Sequence, residues 1–129
     1  MEAFNIVKKH LLSQGKKSKN KTGLECAYRG KDDCKCAIGV LMDDESYHPQ
    51  FESLKISSIL YGTNLELCFS AKALSAQQKL HSKLIDVKPH VLNQLQLIHD
   101  NQDVDDWGDS LSNLGDDLEH QEILESLEV

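Results

Sequence analysis

Only one stretch of this chain departs from helical spacing. Residues 24–42 read LECAYRGKDDCKCAIGVLM, hold three of the four cysteines and the only arginine, and alternate apolar with polar positions. Such alternation predicts a short β-hairpin: Cys26 and Tyr28 share a side of the first strand, Cys34, Cys36 and Ile38 a face of the second, and residues 29–33 form the loop. With Lys31 at the centre of the turn, Tyr28 falls opposite Cys34 and Cys26 opposite Cys36. Directly opposed residues have Cβ atoms roughly 4.5–5.5 Å apart, which leaves a Cys26–Cys36 disulfide open as one reading. A two-stranded hairpin is marginal in water and needs a helix against its apolar face.

The rest reads as helix. Phe4, Val7 and Leu11, with Ile6 beside them, predict a helix over residues 1–15, stopped at Gly15. Residues 16–23, KKSKNKTG, form a basic loop by composition. Residues 51–119 are expected to be helical: Phe51, Leu54, Ile56 and Ile59 end at Gly62, and Thr63 or Asn64 caps a short piece carrying Leu65, Cys68 and Phe69. Ser75 and Gln78 form a capping-box pattern opening the next helix, and Pro89 restarts or kinks it. Asp106 caps a last helix with Trp107, Leu111, Leu114 and Leu118 spaced by four, three and four. Residues 120–129 are an acidic tail expected to fray, because acids in a final turn oppose the helix dipole.

Charge is segregated along the chain. Residues 1–40 carry nine Lys or Arg against four acids, a balance of +5, whereas residues 100–129 carry eleven acids and no Lys or Arg; the whole chain is at −7. Overall acidity disfavours a nucleic-acid partner, although an acidic face can imitate DNA. The basic loop suits phosphate or an acidic partner, or stands solvated and drawn to the chain's own acidic end. No apolar run approaches the roughly 20 residues that cross a bilayer. No signal-peptide core stands at the N-terminus. A cytoplasmic protein with reduced thiols is the expectation.

Few residues carry a chemical hypothesis. Cys36, beside Lys35, could be an activated thiol if a helix begins there, with a base from His81, His90 or His99 and Asp100 as orienter. Cys26, Cys34 and Cys36 are the alternative metal set, although the one-residue gap between Cys34 and Cys36 is short for zinc. In each case the plainer reading is packing, since free cysteine behaves as a small hydrophobe. The His99-Asp100 pair resembles a phosphohydrolase dipeptide, and His99 also suits a helix C-terminus. Trp107 reads as core. Arg29 can grip a carboxylate or phosphate with its fork of donors.

The motifs C-A-Y-R-G at residues 26–30 and C-A-I-G at residues 36–39, then Asp44, Tyr47, Pro49 and Glu52, and later L-Q-L-I-H-D from Leu95 with Trp107, together resemble a family of small phage and bacterial proteins of unassigned activity. The likeness covers about four fifths of the chain, and Asp32-Asp33-Cys34 departs from the glycine-containing turn of that family. It implies that Tyr28, Arg29, His99, Asp100 and Trp107 belong to one structural or binding cluster. The tail, DDLEHQEILESLEV, is similar to the acidic C-terminal signals of effectors exported by type IV secretion systems; an ordinary solvated helix end is the plainer reading.

These readings predict a single α+β domain, mainly α, with one short hairpin. The expected function is non-enzymatic protein binding, as an inhibitor or modulator of another protein in a phage or effector setting. No cofactor or membrane is expected; a homodimer is compatible with the segregated charge. The alternative is a small thiol- or metal-dependent hydrolase centred on Cys36 and His99.

Overall fold

The computed structural model describes residues 2–23 and 25–127. Leu24, where the hairpin should begin, lies outside the described residues, as do Met1, Glu128 and Val129 at the ends of the first helix and the tail. Among the described residues six helices follow in order: α1 (Glu2–Gln14), α2 (Ile56–Tyr61), α3 (Leu65–Cys68), α4 (Ala71–Leu84), α5 (Pro89–Asn101) and α6 (Trp107–Leu127). Between α1 and α2 the chain makes single 3-10 turns at Lys31–Asp33, Gly39–Leu41, Asp44–Ser46 and Pro49–Phe51.

Each long helix buries the stripe its spacing dictates. In α1, Phe4, Val7 and Leu11 face inward, and Gly15, at φ +65°, closes the helix by donating its N–H to the Leu11 carbonyl. Helix α5 opens on Pro89 and buries Val91, Leu92, Leu95 and His99. Helix α6 buries Trp107, Leu111, Leu114 and Leu118 and stays helical through Leu127. One core joins these side chains to Ile38, Met42, Phe51, Ile59 and Leu80, with α1 on α6, α6 on α5, α5 on α2 and α2 on α4. Helix α4 starts at Ala71 with Ser70 as its cap, the Ser70 hydroxyl accepting from Ala73 N–H. Ser75, expected to open this helix, lies inside it.

The hairpin is not there, and the fold is all-α rather than α+β. Among the described residues no strand forms; two isolated antiparallel bridges remain, Lys19 with Cys26 and Arg29 with Lys35. Cys26 therefore faces Lys19, not Cys36, and all four cysteines are free thiols. Distant side chains take the backbone groups a ladder would use. Glu52 accepts from the N–H groups of Tyr28 and Arg29, Gln14 accepts from Lys35 N–H, and Gln96 accepts from Ile38 N–H. His10 and Gln14 donate to the Lys35 carbonyl. The turn adds to this, since Asp32 and Asp33 both stand near φ +58°, a left-handed pair that swings the second half away from strand geometry.

The two motif glycines serve this packed loop. A Cβ on Gly39 would lie 2.0 Å from the Tyr28 carbonyl oxygen, and one on Gly30 would lie 2.4 Å from the Lys19 carbonyl oxygen. Neither position has room for a side chain.

Candidate functional site

The apolar stripe of α5 ends on a polar ring. Positions 91, 95 and 99 share one helical face, so His99 is carried into the core, where it has no exposed surface and stacks on Trp107 with ring centroids 5.5 Å apart. A buried imidazole needs partners for both nitrogens. Ser18 N–H donates to Nε2 at 2.9 Å, and Nδ1 stands 2.7 Å from Asp100 Oδ1. A backbone amide can only donate, so Nε2 is the acceptor and the ring proton sits on Nδ1. Gln96 Nε2 donates to the same Asp100 oxygen at 2.7 Å.

Ser18 is the residue the sequence hides. Set among lysines in a loop that reads as solvated, it is fully buried, and its hydroxyl lies 2.7 Å from the Ala27 carbonyl and 3.2 Å from that of Cys34. Its neighbour Lys17 reaches the Asp100 carbonyl at the C-terminal end of α5 at 3.1 Å, a favoured place for a cation. The basic loop is thereby fastened to α5.

Cys26 completes this cluster. Its sulfur, a His99 ring nitrogen and an Asp100 carboxylate oxygen lie within 4.8 Å of one another. Burial, then the charge and hydrogen bonding of Asp100, push the Cys26 thiol above its ordinary value. For Asp100, burial works upward, but hydrogen bonds from His99, Gln96 and Cys26 outweigh it and hold the carboxyl below the usual range.

Cysteine, histidine and aspartate in contact suggest a catalytic or metal site, and the hydrogen bonds argue against both. The Nε2 lone pair of His99 is taken by Ser18, so it cannot accept a proton from Cys26. Binding a metal through Nδ1 would move the ring proton to Nε2, opposite the Ser18 N–H. The proposed ligands Cys34 and Cys36 do not join this cluster, which is the one such group among the described residues. Cys36 is 1% exposed and accepts from Gly39 N–H at 3.3 Å. Burial pushes its thiol up to about 12, overriding the donors from Gly39 and Ile38, so at neutral pH it is protonated. Of the other candidate bases, His81 packs edge-on against Tyr61 and His90 stands on an open cleft.

Tyr28 and Arg29 belong to a second cluster, built on Glu52. Besides the two backbone N–H groups, its carboxylate accepts the Tyr47 hydroxyl at 2.7 Å. The Arg29 guanidinium lies 4.2 Å from the centre of the Tyr47 ring and pairs with Asp44 at 2.9 Å, while its Nε and one terminal nitrogen are buried without a partner. The Tyr28 hydroxyl donates to the Leu54 carbonyl. Sequence reasoning names Glu52 only as part of a motif; the signal that could have singled it out is a lone carboxylate at the close of the aromatic stretch from Tyr47 to Phe51.

Between the clusters lies a half-open cleft of about 990 Å³. Cys26, Tyr28, Cys36 and Asp100 line it, and Leu54, Tyr61 and Leu97 border it while remaining 39%, 48% and 45% exposed. Tyr28 and Asp100 thus share one cleft, whereas His99 and Trp107 stand in the core behind it and Arg29 stands outside its lining.

No family model, curated protein or solved structure matches the chain. Among the described residues no helix is long and apolar enough to cross a membrane.

Proposed function

We propose that this protein is a non-enzymatic protein-binding module, an inhibitor or modulator of another protein, and that the cleft between Leu54 and Leu97 is where the partner docks. One observation carries the reading. Three large apolar side chains stand open around a cleft of about 990 Å³ whose chemically suggestive groups are already engaged with one another. Exposed aromatic and aliphatic side chains grouped at a concavity are the usual anchors of a protein interface. Leu54, Tyr61 and Leu97 suit an amphipathic segment whose apolar side chains recur along one face. Lys19 and Lys55 stand on this cleft with Glu25 and Asp100, so both signs of charge are available to orient it. The acidic turns at the end of α6 support a setting in which the module leaves a bacterial cytoplasm for a host cell.

The test is capture by tagged protein from lysates of its own organism and a host, using the wild type and a folded Leu54→Ser, Tyr61→Ala, Leu97→Ser variant. A stoichiometric protein retained by the wild type and lost with the variant supports the reading. Equal retention by both refutes docking at the cleft. The hydrolase alternative gains no support from the buried, protonated Cys36.

A further inference from the structure

At the described end of α6 three apolar side chains stay exposed, while Glu125 in the same turns pairs with Lys88. The last inward side chain is Leu118, and residues 119–127 are all exposed, about 13 Å of helix at 1.5 Å per residue. At about 100° per residue, Ile123, Leu124 and Leu127 group on the side opposite Trp107, Leu111, Leu114 and Leu118. They are 57%, 47% and 75% exposed. Asp116, Asp117 and Glu119 flank the approach to this strip, and the 21 residues of α6 contain no Lys or Arg.

The complement is on α1. Opposite its buried Phe4, Val7 and Leu11, the outer face carries Ile6 and Leu12, 44% and 48% exposed, with Lys9 between them and Lys16 just beyond the helix. We infer that the acidic, apolar end of α6 docks on the basic, apolar outer face of α1 in a second copy of this chain. Two tails pairing with each other would set acid against acid. A tail on α1 joins Ile123 and Leu127 to Ile6 and Leu12 while opposing Asp116 and Glu119 to Lys9 and Lys16. The exchange is reciprocal when each copy lends its tail to the other, which closes the assembly at two. This surface is separate from the cleft, so the two proposals stand or fall independently.

Sedimentation equilibrium of the whole protein, at low and at moderate salt, tests this. The wild type is expected to dimerise with rising concentration, less so in salt because the exposed charges are screened. Lys9→Glu with Lys16→Glu, and separately Asp116→Lys with Glu119→Lys, should each weaken the dimer by about tenfold or more, near 1.4 kcal/mol. Mixing the two folded variants restores opposite charges at both contacts and should yield the heterodimer. Ile123→Ser with Leu127→Ser should weaken association without changing the helical circular dichroism signal of the monomer beyond a few residues. A wild type that stays monomeric at all concentrations, or charge variants that associate as it does and gain nothing on mixing, overturns the inference.

Discussion

Replacing Glu52 by alanine should be among the more damaging single changes outside the apolar core. The carboxylate accepts from Tyr28 N–H at 2.9 Å, Arg29 N–H at 3.2 Å and the Tyr47 hydroxyl at 2.7 Å. Removing an acceptor from a buried or half-buried donor costs about 1–3 kcal/mol for each group left without a partner, and charged acceptors fall at the upper end. Tyr28 is buried and Tyr47 half-buried, so water replaces part of what is lost. The net loss is about 3 kcal/mol for Glu52→Ala. Glu52→Gln keeps one oxygen but turns an amide NH2 toward the Arg29 N–H and Tyr47, and should cost about half as much. Urea unfolding followed by circular dichroism reads both, as a shift of midpoint at unchanged slope. An alanine variant within about 0.5 kcal/mol of the wild type, the ordinary range for a surface change, would refute the role assigned to this carboxylate.

Other changes should follow the same logic. Gly39→Ala places a Cβ 2.0 Å from the Tyr28 carbonyl oxygen and should destabilise by about 3 kcal/mol or more, or prevent folding, as read by thermal melting. Asp100 has its carboxyl held down in the folded state, so its contribution is complete above the unfolded value of about 3.9 and is lost as pH falls below it toward the folded value. The stability advantage of the wild type over Asp100→Asn should therefore shrink between about pH 5 and pH 2, measured by urea midpoints. Alkylation by iodoacetamide at neutral pH should reach exposed Cys68 first and Cys36 only after unfolding, which peptide mass spectrometry resolves; fast labelling of Cys36 in the folded protein would contradict its burial.

The helices were legible because each carries its own evidence. Phe4, Val7 and Leu11 in α1, and Trp107 through Leu118 in α6, are spaced for one face, and that face is buried. The stretch around the motif cysteines was not, because its backbone partners lie far along the chain: Glu52 is 24 residues from Tyr28, Gln96 58 from Ile38, and His99 81 from Ser18. The alternation there does not carry into burial, since Ala27 and Tyr28 are both buried and so are Cys36, Ala37, Ile38 and Gly39, and a window of neighbouring residues cannot tell such a packed loop from a strand. Ser75 misled for a similar reason: a capping-box pattern existed, but Ser70 already offered its hydroxyl to Ala73 and the helix began there. Of the candidate site, His99, Asp100 and Trp107 do come together, through the stripe of α5 meeting the start of α6. Ser18 gave no signal, since a serine between lysines has the composition of an exposed loop.

Site-specific photo-cross-linking tests the central claim most directly, that the engaged cluster leaves the neighbouring cleft as a surface for another protein. A benzophenone side chain placed at Tyr61, on the cleft, should join the captured partner covalently, while one at Leu67, 80% exposed and outside the cleft lining, should not. Equal cross-linking at both positions, or adducts at Leu67 alone, would contradict the claim.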